Sequence, residues 1–185
     1  ARYERSIASG IDTLDHLIQQ ILTLSRYSRA MDISNFKPCH FAKLLSDELS
    51  QCAEESSLAG FDIFVSPELS EQSMLIDQRA LLRAVNNLIS NAERYANSKI
   101  KVSFKQEQGD YVLWVEDDGP GVPESERESI FLPFKQLDNA QREISKEHGL
   151  GLAIVKQIAH WHSGVVTVNE STLGGAKFEL RWPAS

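Results

Sequence analysis

Three short stretches of this 185-residue chain carry residue types that phosphate and ring recognition require. The first is Asn87-Leu-Ile-Ser-Asn91-Ala-Glu-Arg94-Tyr95, in which two amides and a cation recur at intervals of four and three. Residues so spaced are neighbours on a helix, so one face would present amide, amide, cation and phenol together. Asn is a mediocre helix former, and two of them inside a strongly periodic helix form a local conflict of the kind that marks a working site. The second stretch is Val115-Glu116-Asp117-Asp118-Gly119-Pro120-Gly121. Here a carboxylate ends a strand, and the glycines after it let the backbone turn sharply and come close to a ligand. A buried carboxylate at that place can accept hydrogen bonds from an amine-bearing ring. The third, Gly149-Leu150-Gly151-Leu152, runs into a helix whose first amides lack intrahelical partners and can hold phosphate.

The elements that must position these residues follow from hydrophobic period. Asp77 to Asn97 reads as the central helix: Leu81, Leu82, Val85, Leu88, Ile89, Ala92 and Ala96 gather on one apolar face, opposite the asparagines. Asp77 is a good N-terminal cap. Phe41 to Ala59 is a second helix, with Gly60 as its C-terminal cap, and Gly151 to Trp161 a third. Strands are predicted at Phe61 to Val65, Met74 to Ile76, Ile100 to Gln106 and Tyr111 to Glu116, the last two joined by a hairpin at Gln108-Gly109-Asp110. A second hairpin links Val165 to Asn169 with Ala176 to Trp182. Between Asp117 and His148 the chain is mostly loop, with one helical turn at Glu124 to Ile130, and so long a stretch without period points to a functional loop. The mixture predicts an α+β fold, a two-layer α/β sandwich with a mixed sheet covered on one face by three helices.

Residues 3 to 31 read as one long N-terminal helix, with Ile7, Ile11, Leu14, Ile18 and Ile21 at four-three spacing. Such a stripe needs a partner, and a helical bundle between chains is the expectation. Pro38 marks a boundary, giving two domains, 1–33 and 34–185. The chain starts directly inside the periodic pattern, as a piece cut from something longer would.

Composition removes several function classes. With a formal net charge of −7 and no block of Lys or Arg, the chain is a poor nucleic-acid binder. It has no run of about 18 apolar residues to cross a membrane and no signal-peptide core. Cys39 and Cys52 lack metal-ligand spacing and read as reduced, partly buried thiols. The GxGxxG pattern breaks at Ile154 with no strand before it, and GxxxxGK[ST] occurs nowhere, which argues against Rossmann and P-loop folds.

In order and spacing, these motifs resemble the ATP-binding domain of sensor histidine kinases, within the wider family that includes gyrase, the heat-shock ATPase Hsp90 and MutL. Asn87 to Tyr95 resembles the asparagine motif, Asp117 to Gly121 the first glycine motif, and Phe131-Leu-Pro-Phe134 the phenylalanine motif. Gly149 to Leu152 resembles the second glycine motif and Thr172 to Gly175 the last. The segments VEDDGPG and TLGGAKFELRWP are most similar to RstB-type sensors of Gram-negative bacteria. Residues 3 to 31 are similar to the second helix of the family's dimerisation and phosphoacceptor hairpin.

The resemblance implies ATP and Mg2+ as cofactors. Asp117 would bond the adenine amine, with Gly119 and Gly121 allowing close approach of the base. Asn87 and Asn91 would hold magnesium, and Arg94 and Tyr95 would reach the phosphates or line the nucleotide. The amides of Gly149, Leu150, Gly151 and Leu152 would cradle the phosphate tail under a lid spanning Lys135 to His148. Where water-using relatives carry a glutamate base, this chain has Asn87, so a phosphoacceptor hairpin of the same or a partner chain, rather than water, would receive the γ-phosphate. A response regulator and a homodimeric, inner-membrane parent protein follow from the same resemblance.

Two departures stand out. None of His16, His40, His148, His160 and His162 lies in the HE-x-[RK]-[ST]-P context of a phosphoacceptor, so the chain reads as a catalytic fragment. The usual lid arginine is Gln136, and Glu147-His148 replaces Gly-Thr, which leaves Lys135 or Arg142 as lid cation. The competing expectation is a nucleotide-sensing or scaffolding module with a degenerate lid.

Overall fold

The computed structural model describes residues 14, 18, 19, 21, 22, 25, 32–135 and 149–184. In chain order the described elements are β1 (Lys37–Cys39), α1 (Phe41–Glu55), β2 (Gly60–Val65), β3 (Met74–Ile76), α2 (Gln78–Tyr95), β4 (Lys99–Glu107), β5 (Asp110–Asp117), α3 (Gly151–Trp161), β6 (Val165–Glu170) and β7 (Ala176–Pro183). Short 3-10 turns at Glu124–Glu126 and Ser129–Phe131 stand where one helical turn was predicted.

Alternation along the strands decides the layering. Ile100, Val102 and Phe104 of β4 are fully buried, and in register they meet Asp117, Val115 and Leu113 of β5, which in turn meet Phe178 and Leu180 of β7. Successive side chains point to opposite faces, so these residues define one apolar face. All three helices pack there, contributing Phe41, Leu45 and Leu49 from α1, Leu81, Val85, Leu88 and Ile89 from α2, and Ile154, Val155 and Ile158 from α3. The sheet order is β2-β4-β5-β7-β6, with β2 parallel to β4 and the other pairs antiparallel. The α+β, two-layer reading therefore holds.

An aromatic cluster fixes the sheet against α1. Phe104 stacks on Trp182 at 5.6 Å and 14°, and Phe41 meets both rings edge-on at 5.8 and 6.1 Å. Such geometries add about 0.5–1.5 kcal/mol per pair beyond area burial. The opposite face of the sheet is polar, yet Trp114 is buried on it. Lys105 and Lys177 cover its ring, each with Nζ 4.6 Å from the centroid, and its Nε1 donates to Glu179 Oε2 at 2.7 Å.

The β4–β5 hairpin turns on Gln108 and Gly109, both at positive φ (54° and 89°), as a two-residue turn matched to strand twist requires. Two expectations change. The first helix stops at Glu55 rather than Ala59, because Ser56 turns extended, and Gly60 is the first residue of β2, beside Lys99 of β4, rather than a cap. Pro38 does not simply end one segment: Lys37–Cys39 pairs antiparallel with Met74–Ile76, a small sheet the periodicity did not reveal. Of the predicted N-terminal helix, Leu14, Ile18, Gln19, Ile21, Leu22 and Ser25 are helical, and the apolar ones are exposed; the remainder of residues 3–31 lies outside the described residues. Both cysteines are free thiols, half-buried as expected.

Candidate functional site

Three consecutive carboxylates at the end of β5 point three ways and hold three segments. Glu116, on the polar face, accepts from the hydroxyls of Ser171 (3.2 Å) and Thr172 (3.4 Å), at the start of the β6–β7 turn. Asp117, on the helix face, receives the amides of Gly119 (2.8 Å) and Ala176 (3.2 Å) on Oδ1. Asp118 receives the amides of Asn97 (2.8 Å), Ser98 (3.0 Å) and Lys99 (3.0 Å) on Oδ1 and the Ser98 hydroxyl (2.7 Å) on Oδ2. The Ser98 amide, with its hydroxyl and the amides of Lys99 and Asn97, holds the Asp118 carboxyl well below the usual carboxylate range.

Asp117 is the unusual member. Only 1% exposed, it keeps Oδ2 buried without a hydrogen-bond partner among the described residues. Burial pushes its carboxyl up from the ordinary value, against the lowering effect of the Gly119 and Ala176 amides. A buried acceptor left unpaired costs about 1–3 kcal/mol, so one that persists points to a donor supplied from outside the chain. The glycines around it serve the protein's own packing. A Cβ on Gly119 would lie 2.3 Å from the Tyr95 carbonyl oxygen, and one on Gly175 would lie 2.3 Å from Asp117 Oδ1. Gly121 adopts φ +72° against Gly175.

Helix α2 forms because Ala80, Leu81, Ala84, Val85, Leu88, Ile89 and Ala92 bury one stripe, while the Asp77 carboxylate caps its start by accepting the Ala80 amide at 3.0 Å. Asn87, Asn91, Arg94 and Tyr95 are all half-buried at the edge of that stripe. Asn87 Nδ2 donates to the Gly151 carbonyl at 3.3 Å, which brings the asparagine motif and the start of α3 together. Asn86 belongs elsewhere, donating to Glu48 of α1 at 2.8 Å. The Arg94 guanidinium lies 5.9 Å from the Tyr95 ring centroid.

At α3 the N-cap is Leu150, fully buried and without any side-chain cap bond. The first amide paired back to it is that of Ile154, at 3.0 Å to the Leu150 carbonyl. The amides of Gly151, Leu152 and Ala153 precede it, in the first turn whose N–H groups no intrahelical carbonyl can reach. Gly149 takes φ +70° with the Lys135 carbonyl 2.8 Å from where a Cβ would stand, and its own carbonyl accepts the Phe134 amide at 3.0 Å. Lys135 is thus beside the second glycine motif by backbone contact, but its Nζ turns to Glu126 Oε2 at 2.9 Å. Gln136, Arg142, Lys146, Glu147 and His148 lie outside the described residues.

The structure brings these residues together in two groups along α2: Tyr95, Asp117, Gly119 and Gly121 where its end meets the end of β5, and Asn87 with Gly149, Leu150 and Gly151 where it meets the start of α3. Glu116 and Asp118 escaped the sequence reading, although they stand in the same acidic run; their partners lie 55 and 20 residues away, beyond any local pattern. Buried His162 was missed too. Its Nδ1 bonds the Ile158 carbonyl at 2.8 Å and its Nε2 accepts the Asp77 amide at 3.1 Å, tying the end of α3 to the start of α2.

Residues 76–185 match the family described as Histidine kinase-, DNA gyrase B-, and HSP90-like ATPase. The chain is 32% identical over 183 residues to Sensor protein RstB of Escherichia coli (strain K12), covering 99% of this chain and 42% of that protein. It is 33% identical over 177 residues to Sensor histidine kinase CpxA of the same strain, covering 96% and 38% respectively. Full-length ShkA, solved in complex with AMPPNP, superposes with a TM-score of 0.75 at 25% identity, covering 99% of this chain and 39% of that one. The chain spans about two fifths of the curated relatives it matches. It belongs to the histidine kinase-, DNA gyrase B- and HSP90-like ATPase family, as an ATP-binding catalytic domain of the sensor histidine kinase type.

Proposed function

We propose that this domain presents ATP and Mg2+ to a phosphoacceptor hairpin of the same or a partner chain, transferring the γ-phosphate to a histidine for relay to a response regulator. The observation that carries the reading is the unpartnered Oδ2 of buried Asp117. An adenine amine supplies the donor that this oxygen lacks, while Gly119 and Gly121 let the backbone after β5 close against Tyr95 and Gly175 beside it. The uncapped first turn of α3, at Gly149 to Leu152, then receives the phosphate tail.

The donor set suits magnesium, which favours hard oxygen ligands and retains several waters. Asn87 and Asn91 stand one turn apart on α2, and Asn87 spends its amide N–H on Gly151, which leaves its carbonyl oxygen as the metal-facing atom. Bound there, the ion would neutralise phosphate charge. Arg94 and Tyr95 continue the same helix face towards the nucleotide, and Lys135 is available to the phosphates once released from Glu126. Asn87 has no basic group to activate water, so catalysis by this chain is positioning and charge neutralisation.

In the same reading, residues 1–33 are the second helix of a dimerisation hairpin and 34–185 the catalytic domain. The exposed Leu14, Ile18, Ile21 and Leu22 supply the apolar stripe for pairing. The parent protein is then a homodimer at the bacterial inner membrane, with this part on the cytoplasmic side. No helix among the described residues is itself long and apolar enough to cross a membrane.

Calorimetry with ATP and Mg2+ tests the nucleotide site, and radiolabelled ATP with the phosphoacceptor hairpin added in trans tests transfer. Labelled histidine on the hairpin is the expected result. Binding without any labelling would leave a nucleotide-sensing module, and no binding at all would remove the site assignment.

A further inference from the structure

We infer that Asp118, adjacent to the acceptor residue Asp117, is a positioning residue that sets selectivity for an amine-bearing base, a role that rests on the adenine assignment of Asp117. The two halves of the base pocket come from distant parts of the chain: Tyr95 from the end of α2, and Asp117 with Gly119 from the end of β5. The β4–β5 ladder brings them side by side as far as the Ile100–Asp117 pair, and beyond its end Asp118 ties them together with its whole polar inventory. Its carboxylate gathers three successive amides, of Asn97, Ser98 and Lys99, together with the Ser98 hydroxyl. Its carbonyl accepts from Asn97 Nδ2 at 2.5 Å and its amide donates to the Lys99 carbonyl at 3.2 Å.

This clamp closes on the segment directly after Tyr95, whose carbonyl is packed against Gly119 so tightly that no Cβ fits between them. Gly119 in turn donates the amide that orients Asp117 Oδ1, and so aims the unpartnered Oδ2. Loosening the clamp frees Gly119 to drift from Tyr95 and lets the Asp117 carboxylate rotate. A single hydrogen bond to a base amine depends on that aim. The amides at the start of α3, which belong to another element, do not. Loss of Asp118 should thus weaken recognition of the base while sparing recognition of the phosphates.

The test is calorimetry with Mg2+ and either ATP or inosine triphosphate, which carries an oxygen in place of the amine, on the parent chain, Asp118→Ala and Ser98→Ala. ATP affinity is expected to fall about tenfold in Asp118→Ala, with inosine triphosphate affinity almost unchanged, so that the ratio between the two collapses. Ser98→Ala, which removes one donor and leaves the three amides, should shift the ratio the same way by less, and it carries the test if Asp118→Ala does not fold. Equal weakening of both nucleotides, or an unchanged ratio with a lowered melting temperature, would show a purely structural clamp and overturn the inference. A parent chain that binds ATP without preferring it to inosine triphosphate would instead remove the adenine assignment of Asp117, and the inference with it.

Discussion

The carbonyl oxygen of Tyr95 stands 2.3 Å from the place a Cβ on residue 119 would occupy. Glycine is required there by contact between two parts of the protein. Gly119→Ala must therefore push the α2 end away from the β5 end, an overpacking that costs about 1–3 kcal/mol. Thermal melts should show that loss, and ATP binding measured well below the melting temperature should fall with it. A variant of parental stability and affinity would mean that the loop shifts freely.

Asp117→Asn should separate binding from stability. The amide can keep its oxygen towards the Gly119 and Ala176 amides, preserving the turn, but then places N–H groups where Oδ2 now accepts. Facing a base amine, donor meets donor. A hydrogen bond to a charged group is worth about 1.5–3 kcal/mol, so ATP affinity should fall by about one to two orders of magnitude. Stability should hold or rise near neutral pH. Because burial raises the Asp117 carboxyl above its ordinary value of 3.8, the folded chain binds its proton more readily than the unfolded chain, and the ionised form costs stability as pH rises. Denaturation of both proteins beside ATP titrations checks the pair of outcomes; a large drop in both quantities would contradict this account.

Local chemistry in the sequence was a good guide wherever partners are near. Asp77 caps α2 through Ala80, Gln108-Gly109 turns the hairpin, and α3 begins and ends at Gly151 and Trp161 as its period predicts. What escaped depends on contacts over long separations. The parallel pairing of Gly60–Val65 with β4 draws Gly60 out of a helix cap, and the pairing of Lys37–Cys39 with Met74–Ile76 hides behind a proline. The site divides in the same way. Asp117 could be read from the strand and glycines beside it, whereas Asp118 is intelligible only once Asn97 to Lys99 are beside it in space, and His162 only once α2 and α3 meet.

Lys135 has two claims on it. Its ammonium is paired with Glu126, whose carboxyl is held below its ordinary value by Lys135 first and by the Ser129 hydroxyl. Both members of the pair are partly exposed, so the contact is weak and exchangeable. Glu126→Gln releases the lysine and should tighten ATP binding modestly, with ADP less affected if Lys135 serves the terminal phosphate. Lys135→Ala should weaken ATP, and adding Glu126→Gln to it should then change nothing. Independent, additive effects in this double-mutant cycle would mean that Glu126 does not compete for Lys135.

His162 gives the fold a dependence on pH. Burial lowers the proton affinity of its ring, against opposing contributions from the Ile158 carbonyl and the Asp77 carboxylate. The neutral ring is also what the contacts demand, since Nε2 must accept the Asp77 amide while Nδ1–H donates to Ile158. Over the interval below the ordinary imidazole value of 6.5, the unfolded chain therefore binds more protons than the folded one. The stabilisation is complete above that value and is lost as pH falls through the interval to the lowered folded-state value. His162→Phe retains a ring for Phe36, which packs 4.8 Å away, but leaves the Asp77 amide without an acceptor. It should cost about 1–3 kcal/mol at neutral pH. Urea denaturation at about pH 7.5 and about pH 5.5 distinguishes the two roles of the ring, because only the parent has an imidazole to protonate. The gap between parent and variant should narrow at the lower pH, and a constant gap would assign His162 a packing role alone.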